Sequence, residues 1–123
     1  MVKVLEAPGP AIENLYKFYS RLLRTPRENR MKGCLISNTV VELAPHDEQV
    51  AERVQNILDK IQLSFQKCLD RAVAQGELPE TTDTLILSHF LATTTHGLMV
   101  TGKSSPDPKI IKEVINVALS KIA

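Results

Sequence analysis

The chain is poor in aromatic residues: its 123 residues include two tyrosines, three phenylalanines and no tryptophan. It has only two cysteines, Cys34 and Cys68, which form no C-x-x-C pair, so the sequence indicates neither a disulfide framework nor a redox motif. No apolar run approaches the roughly 20 residues that a membrane-spanning helix needs, and the N-terminus lacks a signal-peptide core. These absences predict a cytoplasmic domain that does not contact the membrane.

Charge of either sign is also close to balanced. Fifteen basic residues oppose fourteen acidic ones, which gives a formal net charge of +1. A surface of this kind attracts phosphate backbones weakly, so we expect the chain on its own to bind nucleic acid no better than a neutral protein. The length suits one domain, residues 1–123, with a single hydrophobic core.

Apolar residues recur at steps of three and four along most of the chain, the period of an α-helix with one buried face. Asp47 is placed to cap one helix, Gly76 to end it in the left-handed conformation, and Asp107 with Pro108 to open the last one. A short lead closed by Pro8, Gly9 and Pro10 is expected to be the remnant of a connecting helix or linker. The sequence predicts an all-α fold of five helices: Ile12–Leu23, Gly33–Ala44, Glu48–Gln75, Thr84–Gly102 and Asp107–Ile122.

The last two predicted helices favour self-association. No Asp, Glu, Lys or Arg occurs between Thr84 and Gly102, and a helix without a polar face is expected to be buried on all sides. The final helix carries a wide apolar stripe opposite its lysines. We do not expect one small domain to cover both helices, and we therefore expect a homodimer through them.

Signals for catalysis or metal binding are weak. His89 and His96 are seven residues apart, or about 10 Å along a helix axis, whereas two ligands of one metal ion lie on adjacent turns. Packing at a helix interface is the simpler interpretation of both histidines. The sequence shows no glycine-rich phosphate loop and no nucleophile elbow. We therefore predict no enzyme activity, no metal site and no cofactor.

The segment GCLISNTVVELAPHD resembles the G-C-x-x-x-N-x-x-x-E-L-A-P-x-D joint in the C-terminal domain of TetR/AcrR-type bacterial transcriptional regulators. Further motifs in the same order are Gly76-Glu77-Leu78-Pro79 with Asp83, then Phe90-Leu91 and Gly97-Leu98. The joint is carried by Gly33, Cys34, Asn38, Glu42, Leu43, Ala44, Pro45 and Asp47.

The resemblance implies a domain that senses a small molecule and dimerises through its last two helices, as an intersubunit four-helix bundle. In such regulators, typically repressors, ligand binding alters DNA binding by an N-terminal helix-turn-helix domain, which we expect to be absent from this chain. Relatives in the family recognise lipophilic drugs, acyl-CoA thioesters and quorum signals, so a lipophilic effector of unknown identity is expected. The alternative is a free-standing helical dimer or interaction module that does not bind DNA.

Candidate site residues follow from these patterns. A small-ligand site combines an apolar cavity with a few polar groups, and buried phenols need hydrogen-bond partners. The ligand-binding candidates are Leu15, Tyr19, Asn38, Phe65, Phe90 and Thr94. The dimer-interface candidates are Leu91, Thr95, Gly97, Leu98, Ile111, Val114, Ile115 and Ala118.

Overall fold

The computed structural model describes residues 2–24, 45–104 and 108–122, and these residues are all helical apart from turns. A 3-10 helix, Val2–Glu6, comes first. The α-helices that follow are α1 (Ala11–Arg24), α2 (Glu48–Ala74), α3 (Thr84–Ser104) and α4 (Pro108–Ser120). The predicted all-α class is confirmed. The predicted Gly33–Ala44 helix, with Asn38, and the predicted cap Asp107 lie outside the described residues.

Local sequence signals set the helix ends. The Asp47 side chain accepts hydrogen bonds from the backbone N–H groups of Gln49 and Val50 at 3.0 and 3.3 Å, which satisfies two otherwise unpaired donors at the start of α2. After the other end of α2, Gly76 has φ +77°, a conformation that only glycine adopts without strain. With 27 residues, α2 is about 40 Å long and is the central helix of the fold.

The core lies where α2 packs against α1 on one side and α3 on the other, with α4 contacting both α1 and α3. Three aromatic rings fill its centre. Phe18 meets Tyr19 and Phe65 edge-on, with ring centroids 5.0 and 5.2 Å apart, while Tyr19 stacks on Phe65 at 6.3 Å. Edge-on and offset geometries are the favourable ones for such pairs, so three of the five aromatic residues contribute directly to packing.

The N-terminal lead is part of this core. Val4 and Leu5 in the 3-10 helix are 6 % and 1 % exposed and pack with the residues of α1 and α2. None of the helices that the structure describes is both long and apolar enough to cross a membrane.

Candidate functional site

Three of the ligand-binding candidates lie together in the interior. Leu15, Tyr19 and Phe65 are at most 1 % exposed. The Tyr19 hydroxyl lies 3.1 Å from Thr95 Oγ1 and 3.4 Å from the carbonyl oxygen of Leu91, and Thr95 also donates to that carbonyl at 2.8 Å. These contacts form a small hydrogen-bonded group within an apolar interior and tie α1 to α3.

Burial favours the neutral form of the Tyr19 phenol. It raises the pKa of Tyr19 to about 12, although the hydrogen bond with Thr95 acts in the opposite direction. The phenol is therefore neutral at physiological pH and can both donate and accept a hydrogen bond.

Phe90 and Thr94, two further ligand-binding candidates, lie in a different place. They line an open, mostly apolar groove of about 410 Å³ between α3 and α4. Phe90 is 41 % exposed, so its ring is not part of the interior. The groove is lined by Phe90, Thr94, Ile110, Glu113, Val114, Val117 and Ala118. The structure thus divides the candidates into two groups and does not bring them into one cavity; Asn38 lies outside the described residues.

The dimer-interface candidates are also divided. Gly97 and Val114 are exposed, and a Cβ atom added at Gly97 would meet nothing within 4 Å. The other six are buried inside the single chain, where α3 and α4 contact the rest of the fold: Leu91, Thr95, Leu98, Ile111, Ile115 and Ala118.

The outer side of α3 and α4 exposes apolar residues that were not among the candidates. Ile86, Ile110 and Val117 are 64 %, 43 % and 62 % exposed, beside Phe90 and Val114, both 41 % exposed. We call these five residues the outer apolar face. The wide stripe in the sequence of α4 contains both buried and exposed positions, so helical periodicity alone does not tell which of them faces the core.

The two histidines of α3 differ in environment. His89 is exposed, whereas His96 is partly buried, and its Nε2 atom has no hydrogen-bond partner in the described part of the chain. Burial lowers the pKa of His96, because desolvation disfavours the charged imidazolium. Among the described residues, no group of three or more His, Cys, Asp and Glu side chains could hold a metal ion.

Cys68 behaves as a small apolar side chain. It is 1 % exposed, and its thiol donates to the carbonyl oxygen of Ala11 at 3.3 Å. Burial raises the pKa of this thiol to about 11; the nearby Arg71 lowers it and Glu77 raises it. The reactive thiolate is therefore scarce at neutral pH. Cys34 lies outside the described residues.

Comparison with known proteins supplies the context for these features. The family model described as "Tetracyclin repressor-like, C-terminal domain" matches residues 10–118. The chain is 32 % identical over 120 residues to the "Uncharacterized HTH-type transcriptional regulator YezE" of Bacillus subtilis. That alignment covers 94 % of this chain and 61 % of the relative, so the chain spans about three fifths of the length of the curated relative. No solved structure matches it.

The matched residues include every described α-helix except the last two residues of α4. They also include the turn Gly76-Glu77-Leu78-Pro79 and the Phe90-Leu91 and Gly97-Leu98 pairs, the described parts of the motifs that carried the sequence resemblance. The chain therefore belongs to the tetracyclin repressor-like C-terminal domain family, the TetR family of transcriptional regulators.

Proposed function

We propose that this chain is the effector-binding and dimerisation domain of a cytoplasmic TetR-type regulator. DNA would be bound by a helix-turn-helix segment outside these 123 residues, and effector binding would alter that contact, as in a repressor. The observation that carries the proposal is the outer apolar face, a group of exposed apolar residues on the adjacent helices α3 and α4.

The outer apolar face has the properties of a surface that is covered by a second copy. Its five apolar side chains lie on two adjacent helices, and four of them line one groove: Phe90, Ile110, Val114 and Val117. Burying apolar surface yields about 25 cal/mol for each Å² removed from water. Because no Asp, Glu, Lys or Arg occurs between Thr84 and Gly102, little charge would be desolvated along α3. A two-fold axis would place the same two helices of both copies together as four helices.

In such a dimer, the exposed residues of the outer apolar face would make most of the contacts with the partner. The buried interface candidates would pack beneath them within each chain: Leu91, Thr95, Leu98, Ile111, Ile115 and Ala118. Gly97 would allow close approach of the two α3 backbones, since it presents no side chain.

Effector binding is proposed for the interior beside Tyr19. The surroundings are apolar, which favours a lipophilic molecule, and the neutral phenol with Thr95 offers hydrogen bonds that could orient it. Leu15, Tyr19 and Phe65 are fully buried, so a ligand reaching them must move at least one packed ring. Because Tyr19 ties α1 to α3, that movement would change how α3, and with it the proposed dimer, is held.

The similarity to a relative named as an HTH-type transcriptional regulator supports this proposal over a free-standing dimer that does not bind DNA. The test is the melting temperature of the chain with decanoic acid, decanoyl-CoA and a long-chain acyl homoserine lactone. Binding to the folded state alone adds about 2.7 kcal/mol of stability at a ligand concentration 100 times the Kd, so the melting temperature should rise with concentration.

Two tyrosine variants test whether the ligand binds beside Tyr19. Tyr19→Phe should reduce the ligand-induced shift, and Tyr16→Phe should keep it, because Tyr16 on the same helix is 44 % exposed. If no compound raises the melting temperature, or if both variants respond equally, the proposed sensing site is wrong.

A further inference from the structure

The C-terminal end of α2 holds the segment that precedes α1. We call residues 2–10 the N-terminal strap. Arg71 of α2 donates from Nη1 to the carbonyl oxygen of Leu5 at 3.3 Å, and from Nη2 to those of Ala7 and Gly9 at 3.1 and 2.9 Å. One guanidinium group thus binds three carbonyl groups of the strap, which the fixed fork of an arginine can do and a lysine ammonium matches poorly.

Other side chains complete this attachment. Asn14 of α1 donates to the carbonyl oxygens of Ala7 at 2.7 Å and Leu5 at 3.5 Å. Gln75 donates to Gly9 O at 3.1 Å. Gly9 has φ +105°, and its carbonyl accepts from both Arg71 and Gln75. The strap is therefore bound by its backbone, in addition to the burial of Val4 and Leu5.

Two side chains that follow α2 cap the start of α1. Gln75 Oε1 accepts from the N–H of Ala11 at 2.9 Å, and Glu77 Oε2 accepts from the N–H of Ile12 at 2.8 Å. The first N–H groups of a helix usually find a partner in the residue just before it. Here that residue is Pro10, so side chains 64 and 65 positions away supply the acceptors. The Glu77 carboxylate also suits the positive end of the α1 dipole.

We propose that Arg71, Gln75 and Glu77 form a latch that fixes the strap and the first turn of α1 to the end of α2, so that both release together. A displacement of the C-terminal end of α2 would therefore move the strap with it. The effector dependence of this coupling rests on the proposed function; the latch itself does not.

Cys68 provides a reporter of the latch. Its thiol donates to Ala11 O, the residue whose N–H is bound to Gln75, and it is fully buried. Alkylation of Cys68 requires the first turn of α1 to move away, so its rate measures release. Loss of Arg71 would raise the pKa of the thiol, since Arg71 lowers it, and would slow the chemical step. Faster alkylation of an Arg71 variant can therefore come only from greater access.

The experiment compares Arg71→Gln with Arg53→Gln in a Cys34→Ser background, using iodoacetamide and mass spectrometry well below the melting temperature. Arg53 is an exposed arginine of the same helix. We expect Arg71→Gln to accelerate Cys68 alkylation by about tenfold or more, and Arg53→Gln to leave it unchanged. If Arg71→Gln fails to fold, Gln75→Ala, which removes only the Gln75 bonds to Ala11 and Gly9 and leaves the charges near Cys68 unchanged, should give a smaller acceleration. Equal rates in the folded variants and the parent would overturn the latch.

A second arm adds decanoic acid at a concentration that raises the melting temperature. The rate of Cys68 alkylation should change by about threefold in the Arg53→Gln protein and by less in Arg71→Gln. A raised melting temperature with no change in rate would overturn the coupling and leave the sensing proposal intact. If neither decanoic acid nor any other compound raises the melting temperature, sensing and its coupling both fail, while the Arg71 and Arg53 comparison still decides the latch.

Discussion

The interior between α1, α2 and α3 and the outer side of α3 and α4 are both rich in apolar residues, but they differ in how much of these residues is exposed to solvent. In the interior, Tyr19 and Phe65 are at most 1 % exposed, and the buried polar groups Asn14, Ser88 and Thr95 have hydrogen-bond partners. On the outer side, Ile86 and Val117 are more than 60 % exposed. The first region is covered by the chain itself, and we propose that a second copy of the chain covers the other.

Two phenylalanine substitutions test this contrast most strongly. Phe65→Ala should lower the free energy of unfolding by about 3–5 kcal/mol, the usual cost of a large cavity in a core. Phe90→Ala should cost far less in the isolated chain, because its ring is 41 % exposed, but should weaken self-association. Urea unfolding over a range of protein concentrations separates the two effects. Similar losses in both variants at the lowest concentration would contradict the division.

Substitutions of a buried and an exposed tyrosine should also differ in their effect on the free energy of unfolding, by a smaller amount. Tyr19→Phe should lower the free energy of unfolding by about 1 kcal/mol, since the hydroxyl loses its contacts while Thr95 keeps its bond to the Leu91 carbonyl. Tyr16→Phe should be neutral in the same urea titration. A cost of several kcal/mol for Tyr19→Phe would show that the Tyr19 contact does more than join α1 to α3.

Substitutions at Gly97 should affect the stability of the single chain and the strength of the proposed dimer in opposite directions. Gly97→Ala should stabilise the isolated chain by up to about 1 kcal/mol, because alanine favours the helix and the added Cβ meets nothing within 4 Å. The same change, and Gly97→Leu more strongly, should weaken the dimer by keeping the α3 backbones apart. Sedimentation velocity beside thermal unfolding measures both quantities. If either substitution destabilises the monomer, Gly97 lies in the interior and not at the proposed dimer interface.

His96 should give the smallest effect, seen as a dependence on pH. Its pKa is lowered in the folded chain from 6.5, so the unfolded chain binds the proton more readily. The stability it contributes is fully present above the unfolded pKa and is lost as pH falls through the folded pKa. Between about pH 7 and pH 5, the parent should therefore lose more stability than His96→Gln. The exposed His89→Gln should follow the parent. Equal pH slopes in the parent and His96→Gln would refute this assignment.

Sequence reasoning succeeded where the cause is local. Asp47 and Gly76 set helix ends through their own hydrogen bonds or backbone angles, and α4 begins at Pro108 as the sequence predicts. Such signals can be read without knowing the fold. It was incomplete where the cause lies in tertiary packing. Ile111 and Val114 belong to the same apolar stripe of α4, yet only Ile111 is buried. Likewise, no pattern near Ala11 indicates that α1 is capped by Gln75 and Glu77, because those acceptors come from a distant turn.

The candidate ligand site shows the same limit. The sequence predicts Tyr19, Phe65 and Phe90 as residues of one ligand site. It could not say that α2 would cover the first two and that Phe90 would border the groove beside α4, since that depends on how the helices are arranged around one another.

The oligomeric state of the chain and of one variant tests the central claim most directly. By sedimentation equilibrium at micromolar concentration, the parent should have twice the chain mass of 13.7 kDa. Val117→Lys should be a folded monomer, because it places a charge on the outer apolar face while Glu113, one turn earlier, can pair with it on the helix surface. Leu63→Lys, a matched change at an exposed position of α2, should remain dimeric. A monomeric parent, or a Val117→Lys variant that still dimerises, would contradict the assignment of this face to a second copy.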